Sequence, residues 1–103
     1  IYMKAMFVDP QQGITGCFLI GSGPRVELLE NLPGSDTLTP WIKAGIKLYH
    51  TAYVVPKIDE ALSYLKQHRA RIVVEPVRAV AFGDREIAFA MLRNKLLVEL
   101  IQQ

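Results

Sequence analysis

"CFLIGSGPRVELLE" (residues 17–30) and "FAMLRNKLLVELIQ" (residues 89–102) follow one plan: an apolar run, a tight break, and a second run containing Val-Glu-Leu. Each reads as a β-hairpin. Gly21-Ser22-Gly23-Pro24 punctuates the first, and Arg93-Asn94 supplies a plausible turn for the second. A supersecondary unit that occurs twice in one short chain points to duplication, and the chain around the second copy shows what was duplicated.

Residues 47–55, "KLYHTAYVV", are dense in β-formers, and Pro56 closes the run. From Lys57 to about Arg69, Ile58, Ala61, Leu62 and Leu65 recur at i, i+3, i+4 and i+7, the spacing of a helix with one buried stripe. "RIVVEPV" returns as a strand, with Pro76 confining it to an edge or an end. "REIAFAML" and "KLLVELI" form the hairpin, so the order is β, α, β, β, β. Upstream, "MKAMFV" is a strand that turns at Asp9-Pro10-Gln11-Gln12-Gly13. "TGCFLI" and "RVELLE" follow, then a connection in which Asp36 or Thr39 would cap a short helix through "WIKAG" that Gly45 ends. The fold class expected is α+β, built of paired βαβββ modules, the first lacking its opening strand and helix. Residues 1–34 are the partial first module, 35–45 a linker helix, and 46–103 the complete second module, together one domain. The chain opens with Ile-Tyr rather than Met, so further residues are expected upstream.

Composition sets bounds on function. With 103 residues the chain supports one core, and 50% hydrophobic against 21% charged residues is a folded composition. A net charge of +2, with basic residues scattered among acids, gives no nucleic-acid footprint. No apolar stretch approaches a membrane span, and no signal peptide is legible. The single cysteine, Cys17, excludes an internal disulfide and fits a reducing cytoplasm.

Strand alternation puts His50 on one face with Leu48, Ala52 and Val54, Glu27 with Arg25 and Leu29, and Glu99 with Leu97 and Ile101. Both glutamates are expected in strands buried on both sides, where an unpartnered carboxylate is costly. Two glutamates from echoing strands and one histidine suit Zn²⁺, Mn²⁺, Co²⁺, Ni²⁺ or Fe²⁺. By composition alone, a strand histidine is more often a core or rim residue, and a strand glutamate is more often solvated or paired with arginine.

"VELLE", "YHTAYVV", "IDEALSYLK", "FGDREIAF" and "LLVELI" occur in the order and at the spacing of the vicinal oxygen chelate superfamily. The chain resembles its glyoxalase I and methylmalonyl-CoA epimerase branch over essentially its whole length from "DPQQG" onward. The resemblance implies modules paired into a cup-shaped mixed sheet that holds a divalent metal. It implies His50, Glu99 and Glu27 as ligands, with a fourth on the strand that would precede this chain. It also implies chelation of adjacent substrate oxygens, with proton abstraction next to a carbonyl and Glu99 as both ligand and base. The epimerases resembled carry a catalytic glutamate where this chain has Gly16, so the second base of an epimerisation is missing.

Phe82 and Phe89 are candidates for lining the cup. Arg85, with Arg69, Arg71, Arg78, Arg93 and Lys95, is a candidate for meeting an anionic substrate, although a scattered solvated surface explains the same residues. Three readings remain open: a metal-dependent lyase or isomerase acting on a small carbonyl compound or thioester, a non-catalytic small-molecule-binding module of the bleomycin-resistance type, and a fragment of unknown function that serves assembly only. A sheet short of its first strand needs its edge covered, so a homodimer is expected.

Overall fold

The computed structural model describes residues 2–103, which divide into two compact units on either side of the Lys47–Leu48 bond. In the first unit the chain runs β1 (Tyr2–Met3), β2 (Phe7–Asp9), β3 (Ile14–Ile20), β4 (Val26–Asn31) and a short helix α1 (Thr39–Lys43). The sheet is antiparallel throughout. Strand β3 lies in the middle, with β1 and β2 along one edge and β4 along the other. The expected strand "MKAMFV" is thus two short strands on a common neighbour. Lys4–Met6 breaks the run, bridged by a backbone bond from Lys4 N–H to the Phe18 carbonyl at 2.9 Å. The turn after β2 is pinned from its own sequence: Asp9, 1% exposed, accepts hydrogen bonds from Gln12 N (3.2 Å) and Gln12 Nε2 (2.8 Å).

The connection to α1 is held by Asn31, whose Oδ1 accepts from Leu38 N at 2.8 Å. Neither Asp36 nor Thr39 caps α1 with its side chain as expected. Leu38 occupies the N-cap, and Pro40, inside the first turn, needs no amide partner there. Gly45, at φ +72, ends the helix where a left-handed residue is required.

The second unit is the anticipated βαβββ module. It comprises β5 (Thr51–Val55), α2 (Ile58–Gln67), β6 (Arg71–Ala79), a 3-10 turn (Val80–Phe82), β7 (Arg85–Met91) and β8 (Leu97–Gln102). Sheet order is β5-β8-β7-β6, with β5 parallel to β8 and the other pairs antiparallel. A β-strand that leads through a helix and back into the sheet gives the parallel pair, and the closing hairpin gives the antiparallel one. Pro76 lies on edge strand β6, inside the irregularity between Val74 and Val77, where its missing N–H costs no ladder bond. The helix buries Ile58 and Leu62 against Ala88 and Leu100, with Val55, Ala61, Leu65 and Ile72 around them, which is the stripe read from the sequence. Burial of this cluster, worth roughly 1.5–3 kcal/mol per fully buried large side chain, fixes one face of the sheet under the helix. Glu99, Phe89 and Ile101 alternate with Leu100 and Ala88 and therefore occupy the opposite face. The hairpin between β7 and β8 spans Leu92–Leu96, longer than a two-residue turn, and closes through Lys95 N to Leu92 O at 2.8 Å.

Among the described residues no helix is long and apolar enough to cross a membrane.

Candidate metal centre

Strand β8 is buried along its length because it runs between β5 and β7 with α2 on one side. Glu99, third in that strand, is consequently 3% exposed. A carboxylate so placed requires a partner, and it has one: His50 Nε2 lies 2.9 Å from Glu99 Oε1, with the two side chains 9% and 4% exposed. In the tautomer protonated at Nε2, the imidazole donates and the carboxylate accepts. His50 Nδ1 is also buried and has no hydrogen-bond partner among the described residues.

The path that brings His50 there differs from the expectation. The strand begins at Thr51, and residues 46–50 lead into it without pairing. In the parallel register Thr51 pairs with Val98, which sets Leu97, the first residue of β8, level with His50. The ladder begins only at Thr51, and β8 has no residue level with 46–49. Alternation still applies across the junction: Ala52 sits beside Glu99, and His50 is two residues earlier. Leu48, expected on the same face, lies outside the strand and is 77% exposed.

Aromatic rings enclose the imidazole. Tyr49 meets it at 4.6 Å between ring centroids and 75° between planes, and Phe89 at 4.9 Å and 86°. The two rings lie 5.9 Å from each other. Phe89 is opposite Glu99 in the β7–β8 register, so one residue backs both members of the pair. Tyr49 is the neighbour that residue order alone does not single out, since nothing there distinguishes it from Tyr53, which is exposed.

Phe82 and Arg85 are elsewhere in the unit. Arg85 Nε donates to the Phe82 carbonyl at 3.0 Å, Nη1 reaches the Gln102 carbonyl at 3.5 Å, and the guanidinium stands 6.0 Å from the Phe82 ring. They form a local cluster at the start of β7, four residues and about 13 Å of strand from Phe89. The structure therefore joins Phe89 to His50 and Glu99 and sets Phe82 and Arg85 apart.

In the first unit, Glu27 lies on β4, opposite Phe18 in the β3–β4 register, and is half-buried. Strand β4 is not buried on both sides as expected. It alternates exposed and half-buried residues because it is an edge strand paired only with β3. Gly16 is buried on β3, and a Cβ there would stand 2.5 Å from the Leu28 carbonyl oxygen and 2.9 Å from Leu29 Cδ2. The position that would carry an epimerase-type acid thus has no room for any side chain.

The pair in the second unit fits a divalent cation by its donor chemistry. It offers one imidazole nitrogen and one carboxylate oxygen from a buried, aromatic-walled position, and their 2.9 Å separation suits two adjacent ligands of one ion at bond lengths of about 2.0–2.2 Å.

Comparison with known proteins agrees with the fold. A hypothetical protein from Bacillus halodurans C-125 superposes with a TM-score of 0.79 at 24% identity, covering 99% of this chain and 75% of that one. Methylmalonyl-CoA epimerase from Mycobacterium tuberculosis superposes with a TM-score of 0.77 at 22% identity, covering 98% of this chain and 70% of that one. At these identities the likeness is one of fold. No curated protein matches the sequence. The family model for the glyoxalase, bleomycin resistance protein and dioxygenase superfamily matches residues 4–89, a segment that contains Glu27 and His50 and stops before Glu99. With most of the chain matched, and a βαβββ unit that ends on a buried histidine–glutamate pair, this protein belongs to the glyoxalase/bleomycin resistance protein/dioxygenase superfamily.

Proposed function

We propose that the protein is a divalent-metal-dependent lyase or isomerase of glyoxalase or epimerase type, acting next to a carbonyl of a small compound or thioester. His50 and Glu99 hold the ion, and Glu27 is the ligand contributed by the first unit. The observation that carries this reading is the buried His50–Glu99 pair, 2.9 Å apart on the sheet face away from α2. Stability alone is a weak reason for such a pair, because apolar residues of equal volume are often as stable or more so. A bound cation supplies Lewis-acid polarisation of the substrate carbonyl, which makes the adjacent C–H acidic enough to lose a proton. The chain's own part is to receive that proton. Glu99 is the base, its carboxylate oriented by His50, and the Phe89 and Tyr49 rings keep water from competing. Phe89 is proposed to border the substrate as well, and Phe82 and Arg85 to contact its distal, anionic end.

The metal is Zn²⁺, Co²⁺, Mn²⁺, Ni²⁺ or Fe²⁺ by ligand type. Elemental analysis of the purified protein beside a His50→Ala variant tests the site. Near-stoichiometric metal in the wild type and none in the variant is the expected result. Absence from both after soaking in each ion overturns the reading. Solvent deuterium incorporation into hemithioacetals and acyl thioesters, followed by proton NMR, tests the chemistry, and Glu99→Gln is expected to abolish the exchange.

One observation favours a second reading. The closed space at Gly16 leaves no place for a second acid, so a two-base epimerisation, which removes the proton from one face of the carbon and returns it to the other, has only one of its bases. On that reading the protein binds a small molecule without turning it over. Stoichiometric ligand binding with no isotope exchange would support it.

The assembly proposed is a homodimer in a reducing cytoplasm. Strands β4 and β5 each pair on one side only, and Val26, Leu28, Tyr53 and Val54 along them are 48–57% exposed. Sedimentation equilibrium decides between monomer and dimer.

A further inference from the structure

We propose that Tyr49 and Phe89 are positioning residues for the His50 imidazole, their near-perpendicular rings holding in place a histidine whose second ring nitrogen has no hydrogen-bond acceptor among the described residues. The inference rests on the metal-centre reading and adds to it the device that orients the ligand. A ligating histidine almost always donates its second ring N–H to a carboxylate, a carbonyl or water, and that bond fixes both tautomer and ring plane. Here the second nitrogen, Nδ1, is buried and has no such partner among the described residues. What the ring has instead is two near-perpendicular aromatic neighbours, at 4.6 Å and 75° for Tyr49 and at 4.9 Å and 86° for Phe89. A T-shaped contact sets the positive edge of one ring against the negative face of another, and an N–H directed at an aromatic face is a weak hydrogen bond. Two such neighbours, themselves stacked at 5.9 Å and 28°, leave the imidazole little freedom to rotate. Phe89 also lies across from Glu99, so it holds the ring in line with its carboxylate partner.

Aromaticity, not volume, is what this arrangement requires, and that makes it testable. Wild type, Tyr49→Phe, Tyr49→Leu and Phe89→Leu are titrated with Zn²⁺ and with Co²⁺ by calorimetry. The ring ¹⁵N resonances of His50 are recorded in the metal-free proteins to report which nitrogen carries the proton. Tyr49→Phe keeps the ring and is expected to bind as the wild type does. Tyr49→Leu and Phe89→Leu are expected to lose about tenfold or more in affinity, the usual effect of removing a ligand's support, and to show a mixed tautomer where the wild type shows one. Unchanged affinity and unchanged tautomer in both leucine variants would overturn the inference, as would an equal loss in Tyr49→Phe. If Phe89→Leu does not fold, the half-buried Tyr49 decides alone. If the wild type binds neither ion, or His50→Ala binds as well as the wild type, the metal-centre reading is what fails. The metal-free ¹⁵N spectra still decide whether the two rings position the imidazole.

Discussion

Replacing His50 with leucine should destabilise the fold, and replacing Glu99 with leucine as well should restore it. In the single variant the Glu99 carboxylate, 4% exposed, loses the partner 2.9 Å away and remains enclosed by β5, β7 and the aromatic rings. Breaking a buried ion pair costs about 3–5 kcal/mol, and losing a hydrogen bond to one charged group about 1.5–3 kcal/mol. Leucine returns part of this by filling the imidazole's space, so a net loss of about 2–3 kcal/mol is expected. For a chain of this size that lowers Tm by roughly 10–20 °C. The double variant His50→Leu/Glu99→Leu buries no charge and should lie within about 1 kcal/mol of the wild type or above it. Urea unfolding of the wild type, both single variants and the double, in buffer containing a chelator, measures the cycle without a contribution from bound metal. A His50→Leu cost below about 0.5 kcal/mol, or a double variant as unstable as the sum of the singles, would refute the coupling. Recovery in the double variant would mean that the pair is kept for chemistry at some expense in stability.

Three further outcomes follow from other parts of the molecule. Gly16→Glu should not install an epimerase base. Its Cβ would stand 2.5 Å from the Leu28 carbonyl oxygen, so the variant should lose about 1–3 kcal/mol or more in thermal unfolding, and unchanged stability would contradict the β3–β4 packing. Gln102→Ala should cost about 1–2 kcal/mol, because its Oε1 accepts from Ile58 N at 2.9 Å and its Nε2 donates to the Pro56 carbonyl at 2.6 Å, closing an α2 N-terminus that Lys57 leaves uncapped. A Tm equal to that of the wild type would show that the cap is dispensable. Arg69→Gly should raise stability by about 0.5–1 kcal/mol, since Arg69 follows the C-cap of α2 at φ +67 and glycine adopts that conformation without strain; a lower Tm would refute it.

What was legible in the sequence is what depends on periodicity. The Ile58–Leu65 stripe fixed α2 to within a residue or two, and the repeated Val-Glu-Leu located both hairpins, because spacing of 3.6 or 2 is written directly in residue order. Pro76 pointed to an edge or an end because a missing donor is tolerated there, and it lies on edge strand β6 within a register irregularity. The boundaries that failed depend on a partner. Residues 47–49 fall outside β5 because β8, which starts at Leu97 level with His50, has no residue opposite them, and no property of "KLYHTAYVV" encodes where a strand 47 residues further on begins. The cap of α2 was invisible for the same reason: Gln102 is 44 residues from Ile58, the amide it satisfies. Of the candidate site, His50 and Glu99 were legible as residue types on strands of matching parity. Their aromatic enclosure was not, because ring contacts at 4.6 and 4.9 Å arise from packing rather than from spacing.

The two echoing hairpins show how one local design acquires two environments. Aligned on Val-Glu-Leu, the sequences place Cys17 against Phe89, yet the registers place Phe18 opposite Glu27 and Phe89 opposite Glu99. What is repeated is the cross-strand phenylalanine–glutamate pair, at the expense of one residue in the connecting loop. In the first unit that phenylalanine has Arg25 over its ring at 4.6 Å, and in the second it has the His50 imidazole at 4.9 Å. A phenylalanine face flanked by a cation or an imidazole and set beside a carboxylate is therefore built twice. The difference lies in the neighbours: β8 is roofed by α2 and paired on both sides, whereas β4 is an edge. Burial turns Glu99 from a solvated carboxylate into one that must be partnered, and that need holds His50 at 2.9 Å. Glu27 is half-buried on that edge strand, so burial alone demands less of its carboxylate than of Glu99's. Accordingly, Glu27→Gln should weaken metal binding by less than Glu99→Gln, in the same calorimetric titration. A larger loss at Glu27 would mean that burial does not rank the ligands.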